Sequence, residues 1–308
     1  MKDTIIKAQG LTKRYGRQKA LDGVDLAVSR GEICGLIGKN GAGKTTLMKI
    51  FTGLTFANEG TAEIFGTDDP GARTRIGCII DTPTFFGNLT AYDNLKYYCI
   101  IRGITDLSKI GKALERVGLS DTGKKKYRNF SLGMKQRLGI ALAILDEPEL
   151  LILDEPINGL DPIGIGDMRE LFRKLNEDIG ITIIISSHIL SELESIATRF
   201  VFIDQGRIVK SLTKEELDDE CRVSLNITCD NTALAATVLE KTCGIKDYKI
   251  TDNSTVKIYD PVQEEDLRNA MEQAGIRISK TESKGVSIED YFRMIVGDQK
   301  STGGNANG

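Results

Sequence analysis

A short apolar run, Ile33–Ile37, ends abruptly in Gly38-Lys39-Asn40-Gly41-Ala42-Gly43-Lys44-Thr45-Thr46. The run is too short and too uniformly apolar for an amphipathic helix, and it suits a strand buried on both faces. The glycines that follow permit a tight loop whose backbone N–H groups converge on an anion. The next helix then adds its positive dipole end. The residues match G-x-x-x-x-G-K-[ST] in full, with a strand before and a helix after. This pattern assigns Lys44 to the β- and γ-phosphates of a nucleotide and the Thr45 hydroxyl to Mg²⁺.

Three more apolar runs of the same kind, at 150–153, 181–185 and 200–203, end in Asp, Ser or Asp. Together they predict an α/β core with a largely parallel sheet. Residues 4–29 carry strand-like stretches around turns at Tyr15-Gly16 and Asp22-Gly23, which predicts a small antiparallel sheet beside that core. Between Thr90 and Leu145 the periodicity becomes helical. Thr90-x-x-Asp93 resembles a capping box, and Leu95, Tyr98, Cys99 and Arg102 follow at helical spacing.

A chain of 308 residues exceeds one small domain and suits a core of about 200–230 residues with one smaller unit. The composition shifts after Lys210, where Glu215, Glu216, Asp218, Asp219 and Glu220 lead into a new alternation. The expected organisation is a mixed-sheet core with a helical insertion over 1–215 and a small α+β domain over 221–298. A disordered tail is expected over 299–308, because Ser301 to Gly308 are all small or polar. Within the second domain the order reads strand, helix, strand, strand, helix, strand, then a last helix, which is the split βαβ or ferredoxin-like order.

Leu150-Leu151-Ile152-Leu153-Asp154-Glu155 puts two carboxylates at the end of a buried strand, the place where ligands bind in open α/β sheets. Asp154 is suited to the magnesium shell and Glu155 to accepting a proton from an attacking water. His188, the only histidine, closes another buried strand after Ser186-Ser187. There an imidazole can hydrogen-bond a γ-phosphate.

Composition narrows the functional classes. A net charge of −3 and only the short run Lys124, Lys125, Lys126 offer no general attraction for nucleic acid. No apolar stretch approaches the ~20 residues of a membrane span. Lys2, Asp3 and Lys7 interrupt the N-terminus, so no signal-peptide core forms there and a cytoplasmic location is expected. Cys34, Cys78, Cys99, Cys221, Cys229 and Cys243 are scattered without a Cys-x-x-Cys pair and read as small buried hydrophobes.

Phe130-Ser131-Leu132-Gly133-Met134-Lys135-Gln136-Arg137 lies upstream of Asp154-Glu155, and Asn158-Gly159-Leu160-Asp161 follows closely. With the phosphate loop and His188, this order resembles the ABC ATPase family over roughly residues 4–212. The resemblance implies that Ser131 and Gly133 belong to the signature segment, Asp161 to the D-loop, and His188 to the switch position. It also implies that Tyr15 stacks on adenine, and that ATP and Mg²⁺ are held between two facing ATPase subunits. Ser131 and Gly133 would then serve the other chain's nucleotide. A separate transmembrane permease is the implied partner, with the ATPase peripheral on the inner face of the membrane.

Three positions depart from the family's pattern. Leu132 and Met134 replace glycine and glutamine in the signature, and Asp81 stands where the family has its Q-loop glutamine. A shorter anionic side chain at Asp81 still suits Mg²⁺ through a water. This carboxylate, with Asn88-Leu89-Thr90-Ala91-Tyr92-Asp93-Asn94-Leu95 after it, is similar to exporters of the bacitracin and lantibiotic self-protection group. A non-transport ABC ATPase and a nucleotide-dependent regulatory module are the other classes to weigh. The single core, the absence of a long coiled-coil insertion, and the presence of Glu155 and His188 favour a transport ATPase.

Overall fold

The computed structural model of the protein describes residues 3–81, 83–285 and 287–302. The chain runs β1 (Thr4–Tyr15), β2 (Gln18–Ser29), β3 (Ile33–Ile37), α1 (Lys44–Phe51), β4 (Glu59–Ile64), β5 (Ile76–Ile79), α2 (Ala91–Arg102) and α3 (Ser108–Arg116). It continues through α4 (Leu132–Ala143), β6 (Leu150–Leu153), α5 (Pro162–Glu177), β7 (Thr182–Ser187), β8 (Arg199–Asp204), β9 (Arg207–Thr213) and α6 (Lys214–Cys221). Then come β10 (Ser224–Cys229), α7 (Thr232–Lys241), β11 (Tyr248–Ile250), β12 (Thr255–Ile258), α8 (Glu264–Gln273), β13 (Ile278–Lys284) and α9 (Ile288–Thr302). Two compact units result, one containing β1 through β9 and the other spanning Glu215–Met294.

The first unit is built on a six-stranded sheet in the order β5-β6-β7-β3-β8-β9. All its pairs are parallel except β8 with β9. Every residue of β3, β6 and β7 is buried, as expected of strands covered on both faces, and in β7 the hydroxyls of Thr182, Ser186 and Ser187 are buried with the apolar residues. Register decides where these strands end. Ile37 pairs with Ser187 and Leu153 with Ile185, so Gly38, Asp154, Glu155 and His188 all emerge at the same carboxyl edge. A separate antiparallel sheet, β2-β1-β4, lies in the same unit, and Phe51, Phe172, Phe200 and Phe202 are fully buried.

The expected helical insertion is α2, α3 and α4. Thr90 caps α2 as its spacing predicted: its hydroxyl accepts from Asp93 N at 3.1 Å. The strand read at 181–185 is shifted forward and takes in Ser186 and Ser187. Among the described residues no helix is long and apolar enough to cross a membrane.

The second unit forms a four-stranded antiparallel sheet in the order β11-β12-β10-β13. With α7 after its first strand and α8 after its third, this is the split βαβ connection. Ile227, Val256, Ile258, Leu267 and Met271 fill its core. Two sequence expectations need correction. Cys78 is exposed and Cys221 and Cys243 are half-buried, whereas Cys34, Cys99 and Cys229 are buried as expected. The cause at Cys78 is its place on the edge strand β5, where one flank has no neighbouring strand. Second, α9 continues to Thr302, into the stretch expected as an unstructured tail. Residues 303–308 lie outside the described residues.

Candidate functional site

The loop after β3 is built where side chains do not fit. A Cβ on Gly38 would sit 2.4 Å from Ile203 O, and one on Gly43 would sit 2.7 Å from Ala20 O. Gly43 also has φ 113°, a conformation open chiefly to glycine. Ala42 N donates to Lys39 O at 3.1 Å, and Gly206 N donates to Ala42 O at 2.9 Å, which closes the turn. Because α1 begins at Lys44, its first N–H groups have no intrahelical acceptor and face outward over the loop.

Lys44 is only 6% exposed. Its ammonium donates to Gly38 O at 2.6 Å and lies 3.2 Å from Glu155 Oε1. A buried cation, free helix N–H groups and a glycine loop make a cradle for an anion. A cavity of about 320 Å³ opens over it, with Tyr15, Gln18, Asn40, Thr46 and Glu155 among its walls. Tyr15 is half-exposed there, with Lys13 Nζ 5.2 Å from its ring centroid.

The two carboxylates leaving β6 are held by neighbours from α1, from β7 and from the residue that follows β7. Thr45 Oγ1 donates to Asp154 Oδ2 at 2.6 Å, and Ser186 Oγ donates to Asp154 Oδ1 at 2.5 Å. The same Ser186 oxygen accepts from Glu155 N at 2.8 Å. Glu155 itself has φ 49°, in the left-handed region, which costs a non-glycine residue roughly 1–2 kcal/mol. Its carboxylate is gripped twice, by Lys44 through Oε1 and by His188 Nδ1, which donates to Oε2 at 2.7 Å. The ring nitrogen is the donor because an ionised carboxylate only accepts.

The sequence reading brought together the phosphate loop, Asp154, Glu155 and His188, and the structure joins them in one site. It places others apart. Ser131 and Asp161 are helix caps: Ser131 Oγ accepts from Met134 N at 3.3 Å at the start of α4, and Asp161 Oδ1 accepts from Gly164 N at 3.1 Å at the start of α5. With Gly133 they line a different cavity of about 850 Å³. Asp81 does not reach the Thr45–Asp154 pair. Its carboxylate, 78% exposed, lies 3.4 Å from Lys49 Nζ, although it shares a cavity wall with Asp154 and Glu155. The sequence reading missed Ser186 and Lys49. For Ser186 a signal existed, since two adjacent hydroxyls follow the apolar residues Ile183, Ile184 and Ile185 at the strand's end.

A phosphate cradle, an adjacent hydroxyl–carboxylate pair, and a carboxylate held by a lysine and a histidine at the carboxyl edge of a parallel sheet define a P-loop ATPase. Residues 21–158 match the family model described as ABC transporter. The chain is 41% identical to the bacitracin transport ATP-binding protein BcrA of Enterococcus faecalis, over 95% of this chain and 96% of that one. It is 46% identical to the lantibiotic transport ATP-binding protein SrtF of Streptococcus pyogenes, over 67% of this chain and 89% of that one. An ATP-binding cassette of an ABC transporter solved in its ADP conformation superposes with a TM-score of 0.65 at 27% identity, covering 70% of this chain and 94% of that chain. The chain belongs to the ATP-binding subunits of ABC transporters, and it binds and hydrolyses ATP.

Proposed function

We propose that this chain drives an exporter of peptide antibiotics, and that it acts as one of two facing ATPase subunits seated on a transmembrane permease at the inner face of the membrane. Its likeness to bacitracin and lantibiotic transport subunits over most of its length supports the cargo class. The separation of the signature cavity from the phosphate cavity supports the pairing. Within one protomer, Ser131 and Gly133 line no wall of the nucleotide site, so they are available to a second protomer's γ-phosphate.

The observation that carries the hydrolytic reading is the doubly held Glu155 carboxylate. Lys44 and the N–H groups of the loop bind the phosphates. Glu155 accepts the proton of the attacking water, and His188 holds that carboxylate's orientation and faces the γ-phosphate. Thr45 and Asp154 are hard oxygen donors, and among the described residues no group of three or more His, Cys, Asp or Glu side chains could hold a metal. A cation there would be completed by water and phosphate oxygens, which suits Mg²⁺. Bound there, Mg²⁺ would neutralise phosphate charge. Tyr15, at the cavity rim, offers its face to the base. Asp81, paired with Lys49 one helical turn beyond Thr45, is suited to reach the metal through a water once it parts from Lys49.

Expressing the chain with its cognate permease in a host sensitive to peptide antibiotics tests the proposal. The bacitracin or lantibiotic concentration that stops growth should rise, and Glu155→Gln should abolish the gain. Equal protection by Glu155→Gln, or none by the parent against either class, would contradict it.

A further inference from the structure

Glu192 is a buried carboxylate with no place in the chemistry described so far. It is 8% exposed and ends the single 3-10 turn, Leu190–Glu192, that follows His188. Burying a carboxylate is costly unless hydrogen bonds compensate it, so its contacts show what the cost secures. Ser187 Oγ donates to Glu192 Oε2 at 2.6 Å and itself accepts from Ile189 N at 2.9 Å. Ser187 is fully buried. From the other side, Arg169 of α5 donates through Nε to Glu192 O at 2.8 Å and through Nη2 to Ser191 O at 2.6 Å.

His188 therefore sits between two fixed points. Ser187 before it and Glu192 after it are tied to each other, and Arg169 ties the turn to a long helix. Successive strand residues point to opposite faces. Accordingly Ser186 bonds Asp154 and Glu155 while Ser187 bonds Glu192. One strand end thus positions both members of the His188–Glu155 hydrogen bond.

The geometry points to Glu192, with Ser187 and Arg169, as a clamp of positioning residues that sets His188 against Glu155. This rests on the hydrolytic reading of Glu155 and His188 proposed above. Displacing an imidazole by about 1 Å costs up to ~100-fold in rate without removing any reacting group.

The test measures steady-state ATP turnover and Mg·ATP affinity of the full-length chain carrying Glu192→Ala, Glu192→Gln, Ser187→Ala or His188→Ala. Glu192→Ala should lower kcat about tenfold or more and leave KM within about twofold. Glu192→Gln keeps an oxygen for the Ser187 hydroxyl and should stay within about threefold of the parent. Ser187→Ala removes a single oxygen and carries the same expectation as Glu192→Ala, including where that variant does not fold. The clamp is refuted by parental kcat in Ser187→Ala, by kcat and nucleotide affinity falling together, or by Glu192→Gln failing as badly as Glu192→Ala. A His188→Ala chain as fast as the parent would overturn the role of His188, and the clamp's purpose with it, which separates that failure from the others.

Discussion

His188 Nδ1 donates to Glu155 Oε2 at 2.7 Å while Lys44 Nζ lies 3.2 Å from Glu155 Oε1. The carboxylate thus has one oxygen committed to the phosphate loop and one to the end of β7. Three separate strand ends must stay in register for this grip to exist, so site and sheet are one structural problem.

Ser186 is the joint between two of those strands. Its hydroxyl is the partner of both Asp154 and the Glu155 N–H. Ser186 is fully buried and its two partners are partly so, and Ser186→Ala leaves that N–H and one carboxylate oxygen without it, so a loss of about 1–3 kcal/mol is expected. Urea denaturation measures it, and a change below about 0.5 kcal/mol would count against the bridge.

Gly43 and Gly41 both have positive φ but differ in surroundings. A Cβ at Gly43 meets Ala20 O at 2.7 Å, and at Gly41 it meets nothing within 4 Å. Gly41→Ala should therefore cost about 1–2 kcal/mol from backbone conformation. Gly43→Ala should cost at least about 1 kcal/mol more. Thermal unfolding of the two variants gives the comparison, and equal losses would contradict the packing described for the loop.

Glu149 links Arg75 and Arg30, with Nε of Arg75 2.5 Å and Nη1 of Arg30 2.7 Å from its oxygens. Hydrogen bonds from Arg75 and then Arg30 pull its pKa down from 4.5 to about 2. The folded value lies below the unfolded one, so the stabilisation is present above 4.5 and is lost as pH falls from there toward 2. Its side chain is 38% exposed, and water screens much of the gain. Glu149→Gln should therefore be modestly less stable than the parent near neutral pH, with the gap narrowing through that acid window. A gap independent of pH in urea titrations would contradict the assignment.

Thiol reactivity should follow burial. Burial within β3 pushes the Cys34 thiol up to about 12, and a thiol that stays protonated and covered does not react. Cys78 is also raised by desolvation but is exposed. Brief alkylation of the native protein should label Cys78 and spare Cys34, which peptide mass analysis reads directly. Labelling of Cys34 at a comparable rate would contradict the packing of the central sheet.

The phosphate loop, β3 and β6 were legible to the residue because their signals are local: an unbroken apolar run and a fixed motif. The βαββαβ order of the second unit was legible for the same reason, through alternation and helical spacing. Partners fixed by register were not. Nothing near Ser186 in the chain says that β7 will lie beside β6 with Leu153 opposite Ile185, and this pairing alone brings the hydroxyl to Asp154. The Lys49–Asp81 pair likewise joins a helix residue to the segment after β5, which lie far apart in the chain. The exposure of Cys78 follows from β5 being an edge strand, a property of sheet order that no local pattern encodes.

The most direct measurement is ATP turnover and Mg·ATP binding by the full-length Glu155→Gln chain. The amide keeps the shape of the side chain but cannot take a proton from water. Turnover should fall by at least about 100-fold while the nucleotide Kd is no weaker than the parent's. Turnover within about tenfold of the parent, with binding intact, would show that another group accepts the proton and that the doubly held carboxylate is not the centre of the reaction.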